Sequence, residues 1–211
     1  MMEDRAAKVD ATGPEQPGFL RRWMGGLRPD PGSSDPRKLG KWGGIITGAY
    51  LLIATGGGVY WSKTPEHFDV RESASRYAAA TVQDVVTGTT TVATLQETIR
   101  ILLEKSGGYL HNDLFPPGVW LDNMPNWEYG VLVQSRDLAR ALREVLSRSQ
   151  SQSKEDVDLT LAEPRINFQS KSWILPASES EYRDALRFLE AYRARLAVTG
   201  QNSAQFYARA D

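Results

Sequence analysis

The sequence predicts an all-α protein: one N-terminal transmembrane helix followed by an antiparallel helical bundle with long ordered loops. Three observations predict it. Residues 42–61, WGGIITGAYLLIATGGGVYW, carry no charge. Beyond them, apolar residues recur at three- to four-residue spacing in three long segments. No pair of alternating runs joined by hairpin chemistry occurs anywhere.

The organisation follows from the charge-free run. A helix rising ~1.5 Å per residue covers ~30 Å in twenty residues, the thickness of a bilayer's hydrocarbon core. Trp42 stands at one edge and Tyr60 with Trp61 at the other, where amphipathic rings favour the interface, and Lys41 and Lys63 flank the run. Six glycines make the run weakly hydrophobic, so a buried core helix is a competing reading, although glycine is a poor choice there as well. The forty residues before it are too long for a cleaved leader, and no small-residue cleavage site follows. We therefore assign residues 1–41 to a polar, disordered cytoplasmic tail, 42–62 to a signal-anchor and 63–211 to a helical domain. Within the tail, FLRRWMGGLR (19–28) mixes aromatic and basic residues in a way that suits an anionic membrane surface.

Orientation comes from flanking charge. Six Lys/Arg lie between Arg21 and Lys41, and three (Lys63, Arg71, Arg76) in the fifteen residues after the run. The positive-inside rule puts the N-terminus in the cytoplasm. In a double-membraned bacterium this gives an inner-membrane protein with a periplasmic body. Gly44 with Gly48, and Ala54 with Gly58, are small-xxx-small pairs that let a second helix approach, so a homodimer is one expectation.

Composition excludes several classes of chemistry. The formal net charge is −1, against nucleic-acid binding. There is no cysteine, which removes disulfides, thiolate metal sites and thiol catalysis. Two histidines leave little for metal binding, and no phosphate-binding, dinucleotide or zinc-protease motif occurs. No cofactor and no metal are expected.

In the body, Thr64-Pro65-Glu66 signals a helix from about 65 to 83. Thr94 with Glu97 reads as a capping box, Val92, Leu95, Ile99, Leu102 and Leu103 make an apolar stripe, and Ser106-Gly107-Gly108 ends that helix. Val131, Leu138, Leu142, Val145 and Leu146 share one face of a helix over about 127–148, with Arg136, Arg140, Arg143 and Glu144 opposite. Ser153 and Asp156 cap a short helix that Pro164 stops, and 165–176 is irregular or briefly extended. Ser178 with Glu181 opens a helix to about 197, with Tyr182, Leu186, Leu189, Tyr192 and Leu196 inward. Gly200 closes it, and Ser203 starts another that is cut short at QFYARAD, so a longer protein is expected.

Between two helices lies HNDLFPPGVWLDNMPNWEYG (111–130), with three prolines, two tryptophans and no helical period. Two readings stand. In the first it is scaffold: Pro116-Pro117-Gly118 turns the chain, while Val119, Trp120, Leu121 and Met124 pack inward. Pro125 and Asn126 then launch the next helix, and Asn112, Asp113, Asp122, Asn123 and Asn126 pair the backbone. In the second it is a surface, with Trp120, Asn123, Met124 and Trp127 as candidates for meeting another envelope or membrane protein. A competing enzymatic reading makes Asp113, Asp122 and Glu128, beside His111, an acid–base set on a cell-wall glycan, with Trp120 and Trp127 as stacking platforms.

The runs GGYLHNDLFPPGVWLDNMPNWEYGVLVQSRDLARALR, SRSQSQSKEDVDL, AEPRINF, SWILPASESEYR and QFYARAD closely resemble the bacterial domain of unknown function 2333 family, over most of residues 65–211. The resemblance implies a single-span inner-membrane protein of a Gram-negative bacterium, with members continuing beyond this C-terminus. The glycine-rich span departs from the more leucine-rich anchors of that family. No catalytic residue comes with the resemblance. The function expected is an interaction or assembly module of the cell envelope, held at the membrane.

Overall fold

A computed structural model describes residues 36–81, 84–149, 154–200 and 202–208. Among them are six α-helices and no strand: α1 Pro36–Trp61, α2 Val70–Ala80, α3 Thr89–Glu104, α4 Asn123–Ala141, α5 Val157–Ile166 and α6 Ser178–Leu196. The predicted all-α class holds. The aromatic–basic stretch 19–28 and the rest of the tail before residue 36 lie outside the described residues.

Residues up to Gly48 form one unit and those from Ala49 another. In the first, α1 already runs from Pro36, so residues 36–41 are helical rather than tail. Gly44 and Gly48 stand clear, with no atom near the place a Cβ would occupy.

In the second unit the remaining helices pack on one another: α3 lies against α2, α4 and α6, and α5 against α4 and α6. The α3 stripe is buried throughout, and Tyr182, Leu189 and Tyr192 of α6 are fully enclosed, with Leu186 and Leu196 at the core's edge. On α4 and the π turn after it, Leu142 is enclosed, Val131, Leu138 and Leu146 pack at the margin, and Val145 faces out.

The helix starts are where sequence signals competed. Residues 63–69 are not helical; α2 begins at Val70, because Asp69 accepts the Glu72 amide at 2.7 Å and outcompetes the Thr64-Pro65 signal. Helix α3 starts at Thr89, so Thr94 is no cap. Its hydroxyl donates to Thr90 O at 2.8 Å, while Glu97 is buried in an ion-pair cluster. Helix α4 starts at Asn123 with Pro125 in its first turn, where no amide hydrogen is required. Asn126 is therefore inside the helix, its amide donating to Asp122 O. Ser178 does not form a capping box with Glu181. Its hydroxyl lies 2.6 Å from Gln169 O and 2.9 Å from Ser172 O, closing the preceding loop instead.

The stops differ too. Asp156 caps α5 as expected, accepting from Asp158 and Leu159 amides, but the helix continues past Pro164 to Ile166. Arg136 leaves the solvent face assigned to it and secures the end of this helix, donating to Ile166 O at 3.0 Å and, just past the helix, to Phe168 O at 2.6 Å. No helix forms over 202–208. That segment is a strap, in which Tyr207 N donates to Leu146 O and Tyr192 Oη to Gln205 O, both at 2.7 Å.

Gly107 has φ +86°, and a Cβ there would sit 2.7 Å from the Trp61 ring. Gly107→Ala should cost ~1–2 kcal/mol for the left-handed backbone alone, and more for displacing the indole. Thermal denaturation of the detergent-solubilised chain, followed by tryptophan emission, checks this.

Candidate functional site

The 111–130 stretch is built around Glu128. Its side chain on α4 is wholly buried, and so is that of Lys105, with which it pairs. The carboxylate also accepts the amides of Leu110, at 2.9 and 3.0 Å, and His111, at 2.6 Å. Lys105 donates in addition to Gly108 O. One carboxylate thereby locks the turn after α3 onto α4. Burial pushes its pKa up, against the opposing pull of the ammonium and the two amides.

Around this node the segment is pinned in several directions. Asn112 Nδ2 donates to Ser172 O and to Glu179, each at 2.9 Å, tying the stretch to the 172–178 loop. Tyr109 meets Tyr182 edge-on at 5.6 Å. Asp113 is partly buried against Gly118, and burial, reinforced by the Glu179 carboxylate, raises its pKa. Asp122 is exposed at the N-cap of α4 and makes no side-chain capping bond.

His111 stacks on Tyr129 at 5.3 Å and bonds Pro125 O through Nδ1 at 3.0 Å, while Nε2 is buried without a partner. Burial lowers its pKa below 6.5. The folded chain thus holds it neutral at a pH where the unfolded chain takes a proton, so stability is full above the unfolded pKa and falls as pH drops through ~6.5 towards the folded value. Denaturation midpoints between pH 7.5 and 5 should decline, and His111→Phe should flatten that decline.

The outer side of the stretch is apolar. Leu114, Phe115, Val119 and Trp120 are half or more exposed, so Val119 and Trp120 do not pack inward as the scaffold reading expects. Of the surface candidates, Trp120 and Asn123 are exposed, whereas Met124 is buried and Trp127 packs on the core. A second loop joins them: Trp173, Ile174 and Leu175 are exposed, and Trp173 meets Phe115 edge-on at 6.3 Å. The sequence predicts only an irregular or briefly extended segment over 165–176. The uncharged SWILP run was the available signal.

The stretch also meets α1. A Cβ on Gly57 would lie 3.3 Å from Pro117, and one on Gly58 3.7 Å from Pro117 and 3.9 Å from Leu121. Ala54 and Gly58, predicted to receive a second helix, are buried within this chain. A further cluster missed from sequence lies between α2, α3 and α6. There Tyr77 Oη donates to Glu97 at 2.9 Å, Arg76 and Arg100 pair with the same carboxylate, and buried Arg193 reaches Gln96. Burial would raise the Glu97 pKa, but these donors outweigh it and hold the carboxyl low.

Among the described residues no group of three or more His, Asp or Glu side chains is placed to hold a metal. A depression of about 900 Å³ is lined by residues such as Glu155, Asp158 and Arg195 and by none of Asp113, Asp122 and Glu128.

By length and composition α1 is apolar enough to cross a membrane. The architecture is therefore that of an all-helical body carried behind one candidate membrane anchor. The chain belongs to the bacterial family described as "Uncharacterized protein conserved in bacteria (DUF2333)", whose model matches residues 37–211 and so takes in α1 as well as the body. No curated protein and no solved structure matches it.

Proposed function

We propose that this chain is a single-pass inner-membrane protein, cytoplasmic at its N-terminus, whose periplasmic helical body serves as an interaction or assembly module of the envelope. One observation carries the reading. The 111–130 stretch commits its central carboxylate, Glu128, to Lys105 and two backbone amides while turning Trp120 and neighbouring apolar side chains outward. A segment that spends its charge on its own rigidity and presents aromatic surface is suited to docking. Trp120 and Asn123 are the accessible members of the predicted set.

The cysteine-free chain makes the test direct. Single cysteines in the tail and at Arg187 read the topology through a membrane-impermeant maleimide: Arg187→Cys should label in spheroplasts and the tail only after permeabilisation. Photocrosslinkers at Trp120 and Asn123 should then capture one common envelope protein that a crosslinker at Arg187 does not. The opposite labelling pattern defeats the orientation, and the absence of a common adduct defeats the docking role.

A membrane-anchored cell-wall hydrolase is the second reading. It is favoured by Asp113, whose raised pKa suits a general acid. It requires purified protein to cleave envelope glycan and Asp113→Asn to abolish that cleavage.

A further inference from the structure

The exposed apolar loops sit beside the membrane-spanning candidate, and their depth along it can be reckoned. The charge-free run 42–61 is twenty residues long, which at ~1.5 Å per residue just matches the ~30 Å hydrocarbon core. If residues 54–61 stood outside the bilayer, the twelve left (42–53) would cover only ~18 Å. Residues 54–61 must therefore lie within the membrane if α1 spans it. Yet Gly57 and Gly58 are packed by Pro117 and Leu121, and Ala54 is buried. Gly57 is four residues and Ala54 seven before Trp61, about 6 and 10 Å along the axis. The loop that covers this face reaches the same depth.

The two loops have the composition that depth demands. Residues 114–121, LFPPGVWL, and 172–178, SWILPAS, contain no charge; the nearest charged residues in sequence, Asp113, Asp122, Lys171 and Glu179, bound them. Leu175 at the tip of the second loop is 94% exposed, and Phe115 of the first 70%. In water such a paired, uncharged, aromatic surface would be an aggregation liability. At the acyl–headgroup boundary it is a stable arrangement.

Backbone groups in that zone need partners. Val119, Trp120 and Leu121 amides donate to Phe115, Pro117 and Gly118 carbonyls within the first loop. Pro116, Pro117 and Pro176 have no amide hydrogen to satisfy. Ser172 and Ser178 close the second loop on itself: the Ser178 amide donates to Ser172 O at 2.9 Å and the Ser172 amide to Ser178 Oγ at 3.2 Å.

We infer that the 114–121 and 172–178 loops form a second membrane contact. Leu114, Phe115, Trp173, Ile174 and Leu175 insert into the leaflet on the body's side and fix the domain against the bilayer. The inference rests on the single-pass reading above. It assigns the loop tips to lipid and leaves Trp120, near the end of the first loop, and Asn123, the first residue of α4, to protein partners.

The test uses the full chain in nanodiscs of phosphatidylcholine and phosphatidylglycerol. The variants Leu175→Cys, Phe115→Cys, Ile53→Cys and Arg187→Cys each carry a fluorophore quenched by nitroxide-labelled lipid or by aqueous iodide. Labels at 175 and 115 should be quenched by the lipid several-fold more than the label at 187, and protected from iodide. If 53 reports lipid while 115 and 175 behave like 187, the loops do not insert and the anchor survives. If 53 also reports water, α1 does not span, and the single-pass reading fails with the inference.

Discussion

Glu128→Ala should be the most damaging single substitution in the body, costing ~3–5 kcal/mol because it leaves the Lys105 ammonium buried and unpaired. The amides of Leu110 and His111 lose their acceptor in the same step. Two further variants separate these contributions. Glu128→Gln keeps an oxygen for the amides but still strands Lys105, so it should remain severe. Adding Lys105→Met removes the stranded charge, and the double variant should recover a large part of the loss. Thermal denaturation in mild detergent reads all three. A double variant no better than Glu128→Gln would show that the charge pair is not what holds the turn. A catalytic carboxylate would give a different pattern, with activity lost and stability kept.

Arg193→Ala should be nearly as severe. This guanidinium is 2% exposed on α6 and has no ion-pair partner among the described residues. It donates to Gln96 Oε1 and to Tyr77 O, each at 3.0 Å, and lies 5.4 Å from the Tyr77 ring centroid. Tyr77 is in the last turn of α2, where unpaired carbonyls carry partial negative charge, so the end of a helix supplies part of the missing counter-charge. Burial lowers the Arg193 pKa. Truncation opens a large cavity and leaves Gln96 Oε1 without its donor, at ~3–4 kcal/mol together, while Tyr77 O keeps the Thr81 hydroxyl. Arg193→Met keeps the volume and removes a costly buried charge, so it should lose roughly 1–2 kcal/mol. Amide exchange should localise the effect: in Arg193→Ala the α2 amides exchange faster than those of α3. Uniform acceleration instead would mean that Arg193 supports the whole bundle and not specifically the join to α2.

What was legible in the sequence follows from physics that acts over short stretches. The charge-free run of α1 and the stripes of α3 and α6 are statements about neighbours one to four residues apart, and both survive in the fold. Helix boundaries were less legible, because several cap signals compete and packing chooses between them. Asp69 prevailed over Thr64, and α3 starts at Thr89 behind a left-handed Gly88, with no side-chain cap, rather than at Thr94. Pro164 did not stop α5, which ends two residues later at Ile166, where Arg136, thirty residues earlier in the chain, takes the last carbonyl.

The 111–130 stretch shows the limit most clearly. Sequence alone identified it as irregular, aromatic and acidic, and left scaffold, surface and catalytic readings open. Tertiary structure divided its residues among different roles. Glu128 is a buried lock, Met124 and Trp127 are interior, and Trp120 and Phe115 face outward. Nothing within the stretch could foretell that division. It depends on Lys105, on Ser172 and Glu179, sixty and more residues away, and on a helix that ends fifty residues before it. The sequence by itself determined the helical class and the one apolar helix, because both arise from local periodicity and charge. Only the tertiary structure decided which polar groups are spent on the fold and which apolar ones remain outside, because burial is a property of distant segments brought together.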